Sequence, residues 1–363
     1  MCTAFTLRSR QGETFFGRNM DFSYNIKPHL YIIPKNYEWD NSLNMEKIRD
    51  IYRFIGIGQE VDEDMGFFDG VNEMGFAAAT LYFAGYAQYD TMQDLRDRDQ
   101  IASIDFLHYI LGRCADIHDL RQLLKTLSIV GVEDPVTQTV APLHWMAVDR
   151  SGECVVIEQT ERGMEVLENP IGVMSNSPDY QWHKTNLRNY MEASPYQAEE
   201  AVWGNVRLTP FGQAGGTQTL PGGYTSPERF VRTAYLKSFI PTPQSRIEAV
   251  VSCFHVIESV TIPKGAVVTS RNSYDYTKYT AFINTATCEY FFKTYDNIQV
   301  RMASLFENCA QSPELVNLGG LWKQAGTAKR PLLKSRSGPF LKPGPFSPDP
   351  LPGNLLVSFD RLL

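Results

Sequence analysis

The sequence predicts an α+β fold built on largely antiparallel sheets. Strand-like and helix-like segments alternate in blocks, in the order strands, helices, strands, helices, strands. Neighbouring strand segments are joined by short hairpin-type turns, as in SRQG, FFDGVNEMGF and DRSG. No glycine-rich phosphate loop follows a strand, which argues against a doubly wound nucleotide-binding sheet.

Taken in order, residues 2–6 and 13–18 form two short strands around the SRQG turn, and PHLYIIP gives a third. Residues 56–82 mix short apolar runs with Gly-rich turns. Residues 101–113 and 117–127 carry apolar side chains at helical spacing and predict an antiparallel helix pair. Strands resume in PLHWMAVDRSGECVVIEQ, GMEVLEN and IGVMSN. From 181 to 224 the chain turns irregular and rich in Gly, Pro and polar residues, a length that marks a functional or partner-binding loop. SPERFVRTAYLKSFI reads as a helix with Ser226 at the N-cap and Pro227 in its first turn. SRIEAVVSCFHVIESV reads as a second helix, and KGAVVTS, YTAFINTAT and EYFFKTYD close the fold as strands. Residues 311–363 hold eight prolines and a net charge of +4, seven basic residues against three acidic, with no periodicity. That tail is expected to be poorly ordered and outside a single domain spanning 2–310.

Composition narrows the function. The 363 residues are 43% hydrophobic and 21% charged, an ordinary balance for a globular chain. The total charge is −7, so everything before the tail carries −11, and no basic stripe offers a surface for nucleic acid. No apolar run is long enough to span a bilayer, and the N-terminus lacks the charged start and apolar stretch of a secretory signal, which predicts a cytoplasmic protein with no membrane partner. Six cysteines (Cys2, Cys114, Cys154, Cys253, Cys288 and Cys309) include no CxxC pair, so neither a zinc site nor a redox dithiol is indicated. Cys154 and Cys288 lie in strand-like patterns and read as core.

Cys2 has an unusual address. Removal of Met1 would leave a thiol and a free α-amine on one residue, a nucleophile with its own base. A terminal amine titrates near ~8 and is partly unprotonated at neutral pH. No histidine is then required, and none of His29, His108, His118, His144, His183 and His255 sits in a cysteine-protease signature. In GRNMDF, Arg18 can stabilise the thiolate and Asp21 can accept from the amine; otherwise the two make a surface pair. In MSNSP, Asn176 ends a strand and can donate to an oxyanion, or is a plain turn residue. In TSPERFVR, Arg229 opposes the helix dipole in a first turn, which suggests another task such as holding thiolate or substrate, unless it simply pairs with Glu228.

Together, MCTAF, FGRNMDF, DGVNEMG, LYFAGYA, VMSNSPDYQWHKTNLRNY, LTPFGQAGG and PGGYTSPERFVRTAY make the chain resemble the choloylglycine hydrolase family of N-terminal-nucleophile enzymes, from Cys2 to about Leu305. The resemblance implies a four-layer αββα sandwich of two antiparallel sheets between helix layers. It implies Cys2 as nucleophile, Arg18 and Asp21 as its neighbours, Asn176 as oxyanion donor and Arg229 as buried site arginine. Tyr82 falls on the remaining catalytic position, where its backbone N–H completes the oxyanion hole. Bile salt hydrolases commonly carry Asn there and penicillin V acylases Tyr. The resemblance further implies no metal or organic cofactor, and a homotetramer in which residues from about 188 to 224 reach across subunits.

The expected activity is hydrolysis of a small-molecule N-acyl amide through a Cys2 thioester. Tyr82 favours penicillin V as substrate; conjugated bile salts are the alternative, and N-acyl homoserine lactones a third. Phe22, Tyr24, Phe67 and Tyr82 are candidates for an acyl pocket. Glutamine amidotransferases also place Cys behind Met1, but they usually begin Cys-Gly and continue into a synthase domain, whereas this chain begins Cys-Thr-Ala. A binding module with a decayed site is the non-catalytic alternative, and the filled site positions argue against it.

Overall fold

A computed structural model describes residues 1–61, 64–91, 98–307 and 314–322. Its two main sheets are built, in chain order, from β1 (Cys2–Arg8), β2 (Thr14–Phe22), β3 (His29–Ile33), β4 (Phe54–Val61), β5 (Asp64–Asn72), β6 (Ala77–Tyr82), β7 (Leu143–Val148), β8 (Cys154–Thr160), β9 (Gly163–Glu168), β10 (Val173–Met174), β11 (Tyr276–Asn284), β12 (Glu289–Thr294), β13 (Asn297–Ser304) and β14 (Val316–Gly320). The first sheet has six strands in the order β10-β1-β2-β11-β12-β13, and the second has eight in the order β9-β8-β7-β6-β5-β4-β3-β14. Every pairing within them is antiparallel.

Helices α1 (Phe106–Arg113) and α2 (Ile117–Leu123) cover the second sheet, where Phe106, Ile110 and Leu111 pack with Tyr31, Phe54 and Trp145. Helices α4 (Ser226–Phe239) and α5 (Arg246–Glu258) cover the first, with Phe254 edge-on to Phe282 at 5.3 Å and Phe282 edge-on to Phe5 at 5.2 Å. A short α3 (Tyr180–Asn186) packs beside α4. The result is the four-layer α+β sandwich. Burial on both faces explains why β1 and β2 show no polar–apolar alternation: nearly every residue in them is buried.

Local chemistry fixes several joints. Gly17 in β2 is needed because a Cβ there would lie 2.1 Å from the Ala281 carbonyl oxygen of β11. In the β5–β6 turn, Asn72 accepts from the backbone N–H of Met74 and Phe76, and its amide donates to the carbonyls of Leu111 and Cys114. One side chain thus closes the hairpin and satisfies orphan carbonyls at the end of α1.

Some boundaries differ from those the sequence predicts. The α1 helix begins at Phe106, not 101, because Asp99–Ala102 forms a parallel ladder with Leu127–Val130 that buries Ile101. KGAVVTS is not a strand; Val268 makes a single bridge to Tyr274. Thr225, not Ser226, caps α4, with Glu228 reaching back to its N–H (3.2 Å). The 188–224 stretch contains a hairpin of Ala201–Trp203 and Val206–Leu208 whose residues are all exposed. The expected boundary at 310 falls too early: β14 pairs with β3 and extends the second sheet. A lone five-residue edge strand, VNLGG, shows too little alternation to be seen in the sequence. Residues 311–313 and 323–363 of the expected tail, and Cys309, lie outside the described residues.

Candidate active site

Strand alternation sorts the N-terminal candidates. In the β1–β2 ladder Cys2 lies opposite Met20, and Ala4 opposite Arg18. Arg18 and Met20 therefore share the face turned to the second sheet, while Asn19 and Asp21 face the helices. Arg18 Nη2 donates to Cys2 Sγ (2.5 Å), and Nη1 donates to the carbonyls of Phe68 (3.1 Å) and Thr80 (2.5 Å) across the sandwich. Asn19 instead donates to the Ile257 carbonyl of α5. Arg18 and Asp21 are both buried, on opposite faces, and the surface-pair reading of them does not hold.

Asn176 follows β10, the strand beside β1, and sits between three groups. Its Oδ1 accepts from the Cys2 backbone nitrogen (2.6 Å) and from Arg229 Nη2 (2.7 Å), and its Nδ2 donates to the Tyr82 carbonyl (2.7 Å). Two donors at Oδ1 fix the orientation of the amide. The Tyr82 carbonyl takes one of the two Nδ2 hydrogens, leaving one for a substrate oxygen.

Arg229, in the first turn of α4, does not hydrogen-bond the sulfur. Its Nη1 donates to the Cys2 carbonyl (2.5 Å) and the Thr3 hydroxyl, and its Nε to the Tyr224 carbonyl (3.0 Å). Its job is to clamp the start of β1 and the Asn176 amide. Glu228, the partner a solvated arginine would take, is occupied by Thr225 and Gly223.

Asp21 accepts from the Thr277 hydroxyl (2.5 Å) through Oδ1. Its Oδ2 lies 3.9 Å from Arg229, too long for a hydrogen bond, and has no hydrogen-bond partner. Burial pushes the Asp21 carboxyl up, opposed by Arg229 and the terminal amine. Burial also works against charge on both arginines. For Arg18 the nearby Cys2, Tyr279, Asp69 and Asp21 outweigh it and raise the pKa; for Arg229 burial wins over Asp21 and Cys2 and lowers it. The Met1 amine donates to the Asp21 carbonyl (2.7 Å) and to Asp275 (3.3 Å).

Tyr82 ends β6 where the sheet splays. Pairing of β6 with β5 stops at Ala79, and Thr80 gives its carbonyl to Arg18. On the other edge, Phe83 donates to Pro142, while the N–H of Leu143, opposite Tyr82, goes to the Tyr89 hydroxyl. The Tyr82 N–H and C=O thus point into the gap between β5 and β6 rather than into a ladder. Beside that gap lies a solvent-open cavity lined by Cys2, Phe22, Ile26, Phe67, Leu81 and Tyr82 among others. Three of the four acyl-pocket candidates line it. Tyr24 does not; it packs on Phe22 (5.1 Å) and carries Arg271 over its ring at 3.8 Å. Burial and Tyr24 push the Tyr82 hydroxyl pKa up, and Arg271 pulls it back.

A profile of the linear amide C–N hydrolases of the choloylglycine hydrolase family matches residues 2–318. The chain belongs to this family. A bile salt hydrolase/transferase from Clostridium perfringens is 32% identical over 83% of this chain and 91% of its own length. A conjugated bile acid hydrolase from Lactobacillus gasseri is 30% identical over 87% of this chain and 99% of its own. The R18L variant of the conjugated bile acid hydrolase from C. perfringens superposes with a TM-score of 0.81 at 30% identity, covering 88% of this chain and 97% of that one. A penicillin V acylase from Agrobacterium tumefaciens superposes with a TM-score of 0.71 at 21% identity, over 88% and 91%, and shares the fold. As a choloylglycine hydrolase family member the chain is an enzyme that hydrolyses C–N bonds of linear amides, with the N-terminal-nucleophile fold.

Sequence reasoning missed the buried polar groups that brace this family's site here. Asp69 lies at the interface between the sheets and accepts from the hydroxyls of Tyr279 (2.6 Å) and Tyr290 (2.8 Å), within electrostatic reach of Arg18. It sits in the quoted DGVNEMG motif, but only the packing of two sheets far apart in sequence brings the tyrosines to it. Thr277 and Asp275 are equally silent in sequence, since both come from the last block of strands. No helix among the described residues is long and apolar enough to cross a membrane.

Proposed function

We propose that the enzyme hydrolyses the amide of conjugated bile salts, with Cys2 as nucleophile. The observation that carries this is that Cys2, held by Arg18 at its sulfur, lines a largely apolar cavity together with Tyr82, whose carbonyl anchors the Asn176 amide. An apolar acyl body fits such walls. Tyr82 alone put penicillin V first in the sequence; the two relatives described above, 32% and 30% identical, are a bile salt hydrolase/transferase and a conjugated bile acid hydrolase, and the penicillin V acylase supports only the fold, so the order is reversed. Arg271, held over Tyr24 and bonded to Ser23 (2.8 Å), puts a cation within electrostatic reach of Tyr82, suited to the acid group of a glycine or taurine leaving amine.

Once Met1 is removed, the Cys2 nitrogen that donates to Asn176 is an α-amine. The amine takes the thiol proton as sulfur adds to the carbonyl carbon. The oxyanion is met by the remaining Asn176 N–H and the Tyr82 N–H. The α-amine returns the proton to the leaving nitrogen, the C–N bond breaks, and a thioester remains. Water, deprotonated by the same amine, hydrolyses it and releases the acid. The unpartnered Asp21 Oδ2 supplies an acceptor for the charged form of the amine. Arg18 stabilises the thiolate. The mechanism calls on no metal or organic cofactor.

We propose further that the chain forms a homotetramer through the 188–224 segment, whose hairpin presents Val202, Trp203 and Val206 to solvent. Purified protein assayed on glycocholate and penicillin V side by side tests the substrate. Faster turnover of glycocholate is expected, abolished in Cys2→Ala. Faster turnover of penicillin V overturns the assignment.

A further inference from the structure

The carbonyl of Asn176 is held from two sides. His183 Nε2 donates to it at 2.7 Å, and Ser226 Oγ donates at 2.7 Å. Ser226 is itself fixed by the Ser175 hydroxyl at 2.8 Å. His183 is 2% exposed, and its ring stacks on Phe230 of α4 at 4.7 Å with a 14° interplanar angle. A carbonyl acceptor requires the proton on Nε2, so Nδ1 is left as a buried acceptor without a partner. A packed apolar ring would suit this place next to Phe230 and would leave no buried atom unsatisfied. A histidine here is explained by what its one donor does.

That donor acts one bond from the site. The Asn176 side chain reaches Cys2 N, Arg229 and the Tyr82 carbonyl only if its backbone is rotated and translated correctly, and errors of an ångström at an oxyanion donor are expensive. We propose that His183 is a positioning residue for the hydrolysis, fastening the Asn176 backbone through Nε2 so that the side-chain amide stays aimed at the developing oxyanion. This rests on Asn176 being the oxyanion donor. It assigns to α3 a role in turnover, and it explains the serine at 226: its hydroxyl is spent on the same carbonyl, while Thr225 takes over the cap.

The test compares His183→Gln, His183→Asn and Asn176→Ala with the parent enzyme on glycocholate, with iodoacetamide alkylation of Cys2 as a readout of an intact nucleophile. Gln carries its amide nitrogen at the place of Nε2; Asn carries it at the place of Nδ1. The expected result is a kcat within about threefold of the parent for His183→Gln and a loss of about tenfold or more for His183→Asn, with KM within about twofold and alkylation unchanged in both. Equal kcat values for the two variants, whether both normal or both depressed, overturn the proposal, as does parallel loss of alkylation in His183→Asn. Asn176→Ala separates the two layers: if it loses kcat while His183→Asn does not, the positioning role falls and the oxyanion role stands. If Asn176→Ala keeps full kcat, the oxyanion role falls and takes the positioning role with it.

Discussion

At the scale of residues, the site is a set of buried charges whose partners come from different elements. Among the described residues Arg18 has no carboxylate in hydrogen-bond contact; its fork ends on the carbonyls of Phe68 and Thr80 and on the sulfurs of Cys2 and Met20. Such a guanidinium, desolvated and already oriented, is placed to stabilise the charge that develops at the Cys2 sulfur during attack. Arg18→Leu is therefore expected to slow iodoacetamide alkylation of Cys2 at pH 7 about tenfold or more and to depress kcat by at least as much. Alkylation at the parent rate would show that Arg18 does not stabilise the thiolate. Much of this was legible in sequence. Cys2, Arg18, Asp21, Tyr82, Asn176 and Arg229 are drawn to one place, because short motifs preserve the local geometry of each. Their division of labour was not legible: Arg229 holds backbone and the Asn176 amide rather than sulfur, and Asp21 meets Thr277, because those contacts depend on which face of β2 meets which helix.

At the scale of elements, hairpins and amphipathic helices were readable from turn residues and period, whereas their ends were set by tertiary pairing. Ile101 and Ala102 begin a stretch with helical spacing but are pulled into a parallel ladder, and Ser226 carries an N-cap sequence but spends its hydroxyl on Asn176. The Ala201–Leu208 hairpin was legible only as part of an irregular stretch. Its two strands pair with each other and with nothing else described, and Trp203 is 74% exposed, which leaves apolar area that a second copy would bury. Trp203→Glu combined with Val206→Glu is expected to shift a tetramer to smaller species in analytical ultracentrifugation, with monomer stability within about 0.5 kcal/mol of the parent. An unchanged tetramer would remove this hairpin from the assembly.

At the scale of the whole molecule, the four-layer sandwich buries a site whose working parts must stay in defined protonation states. His183 is the clearest case: burial, helped by His144 and Arg229 and opposed by the Asn176 carbonyl and Asp179, lowers its pKa to about 4. The unfolded chain, with a histidine near 6.5, binds the proton more readily than the folded one between those values. His183 thus contributes stability that is present above about pH 6.5 and is lost as pH falls towards 4, an amount on the order of 3 kcal/mol. Melting of the parent and of His183→Gln across that window is expected to show a shallower acid loss in the variant, and parallel profiles would contradict it. An α+β fold of antiparallel sheets followed from block order and the absence of a phosphate loop, whereas the four-layer sandwich came from the family resemblance. The substrate did not, since Tyr82 lines the same cavity whichever acyl group enters. The proposed mechanism requires Cys2 to carry the acyl group with its α-amine free. Acid-quenched turnover of glycocholate, followed by peptide mass spectrometry, reads this directly. A cholyl thioester on an N-terminal peptide that begins at Cys2 is expected, and full turnover by chains that retain Met1 would overturn the mechanism.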